Sequence, residues 1–236
     1  IMDHVSISRF FTIPHADKFS KKGFNQAPLS GAGSFFIPFG TKLPSDTDFL
    51  RGYGIWGAID RLGIPAFLQK EENESIGFLI SHGEVLPRKE NMVKLSNQTD
   101  EWDIPIPNIE FVWSDNEFKM IKHMTTTMEK AINYSGGKVK DLKSILKIPL
   151  LRSLEKNSIA LSGDIPPPGY YIHEVGGAPM GLKEDESVLD RWNRLWRCKN
   201  VFVLDGACWP TSSWQSPTLT MMALSRRACL GIKKLI

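Results

Sequence analysis

The sequence predicts an α/β (α+β) protein: a mixed or antiparallel sheet with covering helices, followed by a C-terminal strand and helix. Three observations carry this prediction. Short aliphatic and aromatic runs alternate with loops rich in Asn, Asp, Gly and Pro over 33–113, as expected for consecutive strands with short connections. The period becomes that of an amphipathic helix over 114–135. A continuous apolar run over 201–207 then precedes a last helical pattern over 217–235.

The first half of the chain reads as a series of strands. They are predicted at 33–39, 51–60, 75–86, 91–95 and 108–113. Short loops between consecutive strands favour antiparallel or mixed pairing. Residues 1–30 read instead as polar and irregular, because Pro14, Gly23 and Pro28 interrupt them.

The helical part begins with a capping box, in which Ser114 and Glu117 have the S-x-x-E spacing. Gly136-Gly137 ends this helix, and its methionines are expected to fill the core under one face of the sheet. A less regular amphipathic segment follows over 138–164. The run at 201–207 has no alternation, which is typical of a strand buried on both faces.

Composition narrows the class of protein. The 236 residues are 42% hydrophobic and 23% charged with a net charge of +3, so we expect one or two globular domains. The charges are mixed without a dense basic stripe, which argues against nucleic-acid binding. No apolar run approaches the ~20 residues of a membrane span. Three cysteines favour a reducing compartment, and we expect a cytoplasmic protein. The chain starts at Ile1 inside what reads as structured sequence, so we interpret it as a piece of a larger protein.

Candidate chemistry is concentrated in the last third of the chain. His173, in YYIHEVGGAPMG, is an imidazole followed by the flexible pair Gly176-Gly177, and histidine is a natural general base for an alcohol proton. Ser216-Pro217 predicts a helix N-terminus with Ser as its cap, an end that stabilises anions. Purely structural roles also account for each feature, because most histidines and most capped helices bind nothing.

Several other chemistries fit less well. HEVGG lacks the second histidine of a zinc protease motif, since Gly177 stands at that position, and no metal site is expected. A hydrolase triad of Ser212 or Ser213 with His173 and Asp205 can be drawn, but the spacing does not demand it. The chain contains no P-loop and no G-x-G-x-x-G, so nothing in it is expected to hold a dinucleotide alone.

Two stretches, HEVGGAPMG and NVFVLDGACWPTSSWQSPTLTMMAL, resemble the C-terminal region of the glucose–methanol–choline (GMC) flavin oxidoreductases. That region usually reads H-x-x-G-T-x-R-M-G, then a strand ending in D-[AG]-[AS], then N-P-T-L-T-x-M-A-L. The form S-S-W-Q-S-P-T-L-T is most similar to the branch of sugar and gluconate dehydrogenases. IMDH, RGYG, GEVLPRKENMVKL and WDIPIPNIEF extend the resemblance over nearly the whole chain.

The resemblance implies a substrate-binding domain over 1–169 and a segment over 170–236 that completes an FAD-binding domain. The N-terminal FAD-binding half is absent from this sequence, so that half is an expected partner. Family members oxidise CH–OH groups of alcohols, sugars or sugar acids by passing hydride to flavin N5. His173 matches the catalytic base and Ser216 the second catalytic position. The residues that match positions lying against FAD are Asp205, Gly206, Ala207, Ser216, Pro217 and Thr218.

Three departures from the family pattern keep an alternative open. Ser216 stands where His or Asn is usual, and Gly177 and Pro179 replace the Thr and Arg of the histidine motif. A hydroxyl can hydrogen-bond a substrate but cannot act as a base near neutral pH. The alternative is therefore a non-catalytic remnant or interaction module that keeps the fold without the reaction, and a free-standing hydrolase is a third hypothesis.

Overall fold

The computed structural model describes residues 1–14, 34–39, 47–61, 68, 70, 74–145, 147 and 164–233. Its largest element is a five-stranded sheet with the order β2-β3-β4-β1-β7. The strands of that sheet are β1 (His4–Pro14), β2 (Ser34–Phe39), β3 (Tyr53–Ile59), β4 (Glu74–Glu84) and β7 (Lys138–Lys140). The pairs β2–β3, β3–β4 and β1–β7 are antiparallel. The strands β5 (Met92–Thr99) and β6 (Pro105–Glu110) form a separate antiparallel ribbon.

The strands predicted from alternating and clustered apolar residues are confirmed, although β6 lies a few residues before the predicted 108–113. The prediction that the first residues are irregular is wrong for the described part, because β1 covers 11 residues there. The reason is its position between β4 and β7. Nearly all residues of β1 are buried, including the polar side chains of Ser6, Ser8 and Thr12.

One long helix covers the sheet, as predicted. It is α1 (Asp115–Tyr134), which begins next to the predicted cap. Its buried residues recur at helical spacing: Glu117, Met120, Ile121, Met124, Met128 and Ile132. The helix contacts β1 through an ion pair between Arg9 and Glu129 at 3.1 Å and β3 through a Tyr53–His123 hydrogen bond of 2.7 Å. Gly136 ends it with a positive φ of 80°, as the Gly pair predicted. The short helix α2 (Leu142–Ile145) follows β7, and most of the predicted 138–164 segment lies outside the described residues.

The predicted strand at 201–207 is not formed. Its backbone makes a single bridge, Arg194 with Phe202, and the chain then turns through a 3-10 helix at Gly206–Cys208. An apolar run predicts burial but supplies no pairing partner. The described residues offer this segment no neighbouring strand with which to form a ladder. The last predicted helix is confirmed as α3 (Thr218–Ile232).

The chain divides into two compact units. One contains 6–83 and 116–167, with most of the five-stranded sheet and α1; the other contains 1–5, 84–115 and 168–236, with the ribbon and α3. The division at 169 proposed from the sequence separates parts by function and stays a prediction. No helix in the described part of the chain is long and apolar enough to cross a membrane.

Candidate functional site

The two sequence motifs of the last third are joined by backbone hydrogen bonds. The extended segment after His173 donates the N–H groups of Gly176, Ala178 and Met180. All three carbonyls of the 3-10 turn at Gly206–Cys208 accept them, with N···O distances of 2.8, 2.9 and 2.8 Å. The carbonyl groups of the turn are therefore paired with the histidine segment, and the two motifs form one hydrogen-bonded unit.

The start of α3 packs on the same place. An added Cβ at Gly206 would lie 2.5 Å from Cε of Met221 and 3.1 Å from Cγ1 of Val175. Met221 is in the first turn of α3, and Val175 follows His173 by two residues. Met2, Val175, Leu189, Cys208 and Trp209 form the buried cluster beneath this contact. Only a residue without a side chain fits at position 206 without displacing a neighbour.

His173 is half-buried. Its Nδ1 is buried and has no hydrogen-bond partner in the described residues. The backbone after His173 carries positive φ values at Gly176 (86°) and Gly177 (105°). Side chains are strained there, which accounts for glycine where the family has threonine. Because Nδ1 is buried, Nε2 is the ring nitrogen that can accept a proton from a ligand.

The helix start differs from the prediction in one respect. Pro217 occupies the cap position of α3, and no side chain caps the helix. Ser216 is exposed, so its predicted role as N-cap is wrong. The reason is that Pro217 itself adopts near-helical angles, φ −80° and ψ −18°, so the cap falls on the proline. The first intrahelical hydrogen bond runs from Met221 N–H to Pro217 O, which leaves the N–H groups of 218–220 without a helical acceptor.

The side chain of Asp205 caps the 3-10 turn and makes no hydrogen bond to a histidine in the described residues. Its Oδ1 accepts the Ala207 N–H at 2.9 Å. Ser212 is buried and donates to the carbonyl of Val85 at 3.3 Å. The Ser–His–Asp triad considered from the sequence is therefore not assembled. Neighbouring Thr211 donates to Glu84 at 2.8 Å, so this connection to α3 is anchored at two successive residues.

Sequence reasoning missed the residues that surround His173. Its ring meets the ring of His4 edge-on, with centroids 4.9 Å apart, and that of Tyr171 at 5.8 Å. The carboxylate of Asp3 accepts the backbone N–H of His173 at 3.3 Å, and burial raises the pKa of Asp3 above its usual value. A contact across 170 positions is not readable from one sequence. Within the described residues no His, Cys, Asp and Glu side chains are grouped to hold a metal ion.

Comparison with known proteins identifies the family. The family model described as GMC oxidoreductase matches residues 87–225, which is more than half of the chain and includes both motifs of its last third. The chain belongs to the GMC oxidoreductase family.

Two relatives of this GMC protein match over most of its length. The 2-methyl-1,2-propanediol dehydrogenase of Mycolicibacterium austroafricanum is 26% identical over 219 residues, 91% of this chain and 34% of that protein. The gluconate 2-dehydrogenase flavoprotein of Pantoea cypripedii is 23% identical over 230 residues, 92% of this chain and 33% of that protein. A solved structure, pyridoxine 4-oxidase from Mesorbium loti, aligns with a TM-score of 0.44 and 12% identity over 95% of this chain and 42% of that chain. The chain thus spans about a third of the length of these two relatives.

Proposed function

We propose that this chain is the C-terminal part of an FAD-dependent oxidoreductase that acts on CH–OH groups of alcohols, sugars or sugar acids. The observation that carries the proposal is the contact at Gly206, where the His173 segment, the Asp205–Ala207 turn and the start of α3 pack together. These are the positions that the family uses for base and flavin. The named relatives, a diol dehydrogenase and a gluconate dehydrogenase flavoprotein, support the substrate class.

The residues present are compatible with FAD. The N–H groups of 218–220 have no helical acceptor and form the positive end of α3, which favours a negative charge on the ligand. Leu219 and Met222 on this first turn are 79% and 64% exposed, an apolar surface suited to a planar ring system. Asp205, Gly206, Ala207, Ser216, Pro217 and Thr218 are the residues proposed to hold the cofactor.

FAD, when bound, would supply the two-electron oxidant that takes hydride from the substrate carbon. The remaining steps belong to this chain. Nε2 of His173 accepts the hydroxyl proton of the substrate, because Nδ1 is buried and cannot reach it. The hydroxyl of Ser216, exposed beside the helix start, hydrogen-bonds the substrate oxygen and keeps it oriented without exchanging a proton. The N–H groups of 218–220, which have no helical acceptor, would favour negative charge on the bound cofactor, an effect on the order of 3 kcal/mol for one well-placed donor.

The test supplies the missing portion. The chain is combined with an FAD-binding half of this family, fused or in trans, and purified. We expect a yellow protein that reduces an artificial acceptor with diols, gluconate or sugars. His173→Ala should keep the flavin absorbance and lose about 10²- to 10⁴-fold in kcat.

A matched control is His123→Gln. It removes another imidazole but leaves a side-chain amide to bond the Tyr53 hydroxyl, which lies 2.7 Å from His123 Nδ1, and it should keep near-normal turnover. A His173→Ala protein that is flavin-loaded and fully active contradicts the proposed base.

The second candidate, a non-catalytic remnant or interaction module, is favoured by Ser216 at the position where the family has His or Asn. A flavin-loaded protein that oxidises no donor would establish it. The variant Ser216→Asn distinguishes the oxidoreductase from the non-catalytic remnant. It should raise kcat if the chain is an enzyme whose second catalytic position is weak, and it should leave a remnant inactive.

We also propose a reducing compartment, the cytoplasm, on the basis of three unpaired cysteines, Cys198, Cys208 and Cys229. Cys208 is buried, and burial raises the pKa of its thiol, which keeps it protonated and unreactive. Fractionation of cells that produce the tagged full-length protein tests this localisation; recovery outside the cytoplasm contradicts it.

A further inference from the structure

The ring of His4 packs directly against the ring of His173. The two centroids are 4.9 Å apart and the planes meet at 89°. Tyr171 completes a three-ring cluster, with its centroid 5.7 Å from that of His4 and 5.8 Å from that of His173. His4 is 3% exposed, so its own ring has little room to move. An edge-to-face pair of this kind favours one relative orientation of the two rings.

The backbone around His4 is fixed to the backbone around His173. Met2 and Val175 exchange both of their backbone hydrogen bonds at 2.8 Å, the geometry of a closely paired antiparallel bridge. Asp3 Oδ1 accepts the N–H of His173 at 3.3 Å. Residues 2–4 therefore lie in a fixed register along 173–175, and the ring of His4 cannot slide away from its neighbour.

Within the part of the chain that the structure describes, no hydrogen bond determines how the His173 ring is turned. A functional histidine usually has its second nitrogen bonded to a carboxylate or carbonyl, and that bond sets the ring orientation. Here Nδ1 is buried without a partner in the described residues. Ring packing then restrains rotation about the side chain, and the ring of His4 supplies the shorter of the two ring contacts that His173 makes with described residues.

We propose that His4 is a positioning residue for His173: its ring, held by residues 2–4, keeps the His173 imidazole in the orientation that directs Nε2 toward the ligand. The inference rests on the proposed function, because it gives the orientation a purpose. It predicts that the shape of the side chain at position 4 matters and that its ability to titrate does not.

The first measurement uses this chain alone, labelled at histidine and observed by NMR. In the wild type and in His4→Phe, which keeps a flat ring, we expect one set of His173 ring signals and one tautomer. In His4→Ala and His4→Leu the ring signals of His173 should move toward those of a free imidazole and its two nitrogens should average. His4→Leu refills the volume without a ring edge, so it answers the question if His4→Ala fails to fold. Unchanged His173 signals in His4→Leu overturn the proposal.

The second measurement uses the FAD-loaded enzyme combined with its N-terminal half. His4→Leu should lower kcat about tenfold with KM changed less than about twofold, since small misplacements of a reacting group slow the chemical step. His4→Phe should restore kcat to near the wild-type value. An equal loss in both variants, matched by less folded protein, would mean that His4 only stabilises the fold and would overturn the proposal.

The two proposals fail separately. Full activity of His173→Ala contradicts the proposed base, whereas the NMR comparison of His4→Phe with His4→Leu still decides whether His4 orients the His173 ring.

Discussion

Gly206 is the position at which a single methyl group should disturb the candidate site. Its added Cβ would lie 2.5 Å from Cε of Met221, 3.1 Å from Cγ1 of Val175 and 3.2 Å from the carbonyl oxygen of Glu174. The methionine tip can swing away at little cost. Val175 is a buried β-branched side chain and Glu174 contributes backbone, so both resist movement. We predict that Gly206→Ala lowers the free energy of unfolding by about 2 kcal/mol, in the range for overpacking a closed site.

The measurement is urea denaturation of the purified chain, followed by tryptophan fluorescence. Gly206→Ala should lower the midpoint without changing the slope, and a loss of about 2 kcal/mol reduces the folded-to-unfolded ratio about 30-fold. Met221→Ala introduced together with Gly206→Ala should be less destabilising than the sum of the two single changes by at least about 0.5 kcal/mol. The control is Gly231→Ala in α3, the helix that also contains Met221. Nothing lies within 4 Å of its added Cβ, so it should be neutral or stabilising by up to about 1 kcal/mol.

A Gly206→Ala protein with the wild-type midpoint would refute this reasoning, as would strictly additive effects of the two changes. Either result would mean that the histidine segment is not packed against the start of α3. The proposed function would then lose the contact that brings its two halves together.

Three further predictions concern stability. Asn193 is fully buried, has a φ of 68° and makes two side-chain hydrogen bonds. Asn193→Ala should lower the unfolding free energy, measured by chemical denaturation, by about 3 kcal/mol. The loss in Asn193→Gly should be smaller than that by about 1 kcal/mol, because glycine relieves the backbone strain. Because burial raises the pKa of Asp3, the folded protein holds that proton more tightly than the unfolded chain does. The wild type should therefore lose stability relative to Asp3→Asn as pH rises from about 4 through the raised pKa. A difference in melting temperature between the two proteins that is the same at about pH 3 and at about pH 7 would contradict this. Tyr53→Phe removes bonds to His123 at 2.7 Å and Thr127 at 3.0 Å and should lower the melting temperature by the equivalent of about 1–2 kcal/mol, an expectation that an unshifted thermal transition would rule out.

Local patterns in the sequence predicted those elements whose period is set by one buried face. The helix α1 and the strands β3 and β4 follow this rule, and their bounds came within a few residues. β1 was missed because Pro14, Gly23 and Pro28 led residues 1–30 to be read as one irregular segment. Val5, Ile7 and Phe11, two or four residues apart, are the signal that could have found it.

The motif residues His173, Asp205 and Gly206 were selected from the sequence, and the structure joins their two segments through backbone hydrogen bonds. Their roles as site residues stay predictions. The apolar run at 201–207 misled because hydrophobicity reports burial, whereas a strand also needs a neighbour to pair with. Asp3 and His4 could not be predicted, since their place beside His173 depends on a contact across 170 positions of sequence.

The contact between residues 2–4 and residues 173–175 affects the order in which the protein can fold. The Met2–Val175 bridge joins positions 173 apart, and the carbonyls that hold residues 176–180 belong to a turn ending at Cys208. During synthesis residues 2–4 are therefore made about 170 positions before their partners at 173–175. Contacts this distant in sequence form slowly, and an unpaired apolar segment is prone to association in the meantime. A growing chain of this kind should gain from chaperone binding around residues 2–4 until residue 208 has emerged.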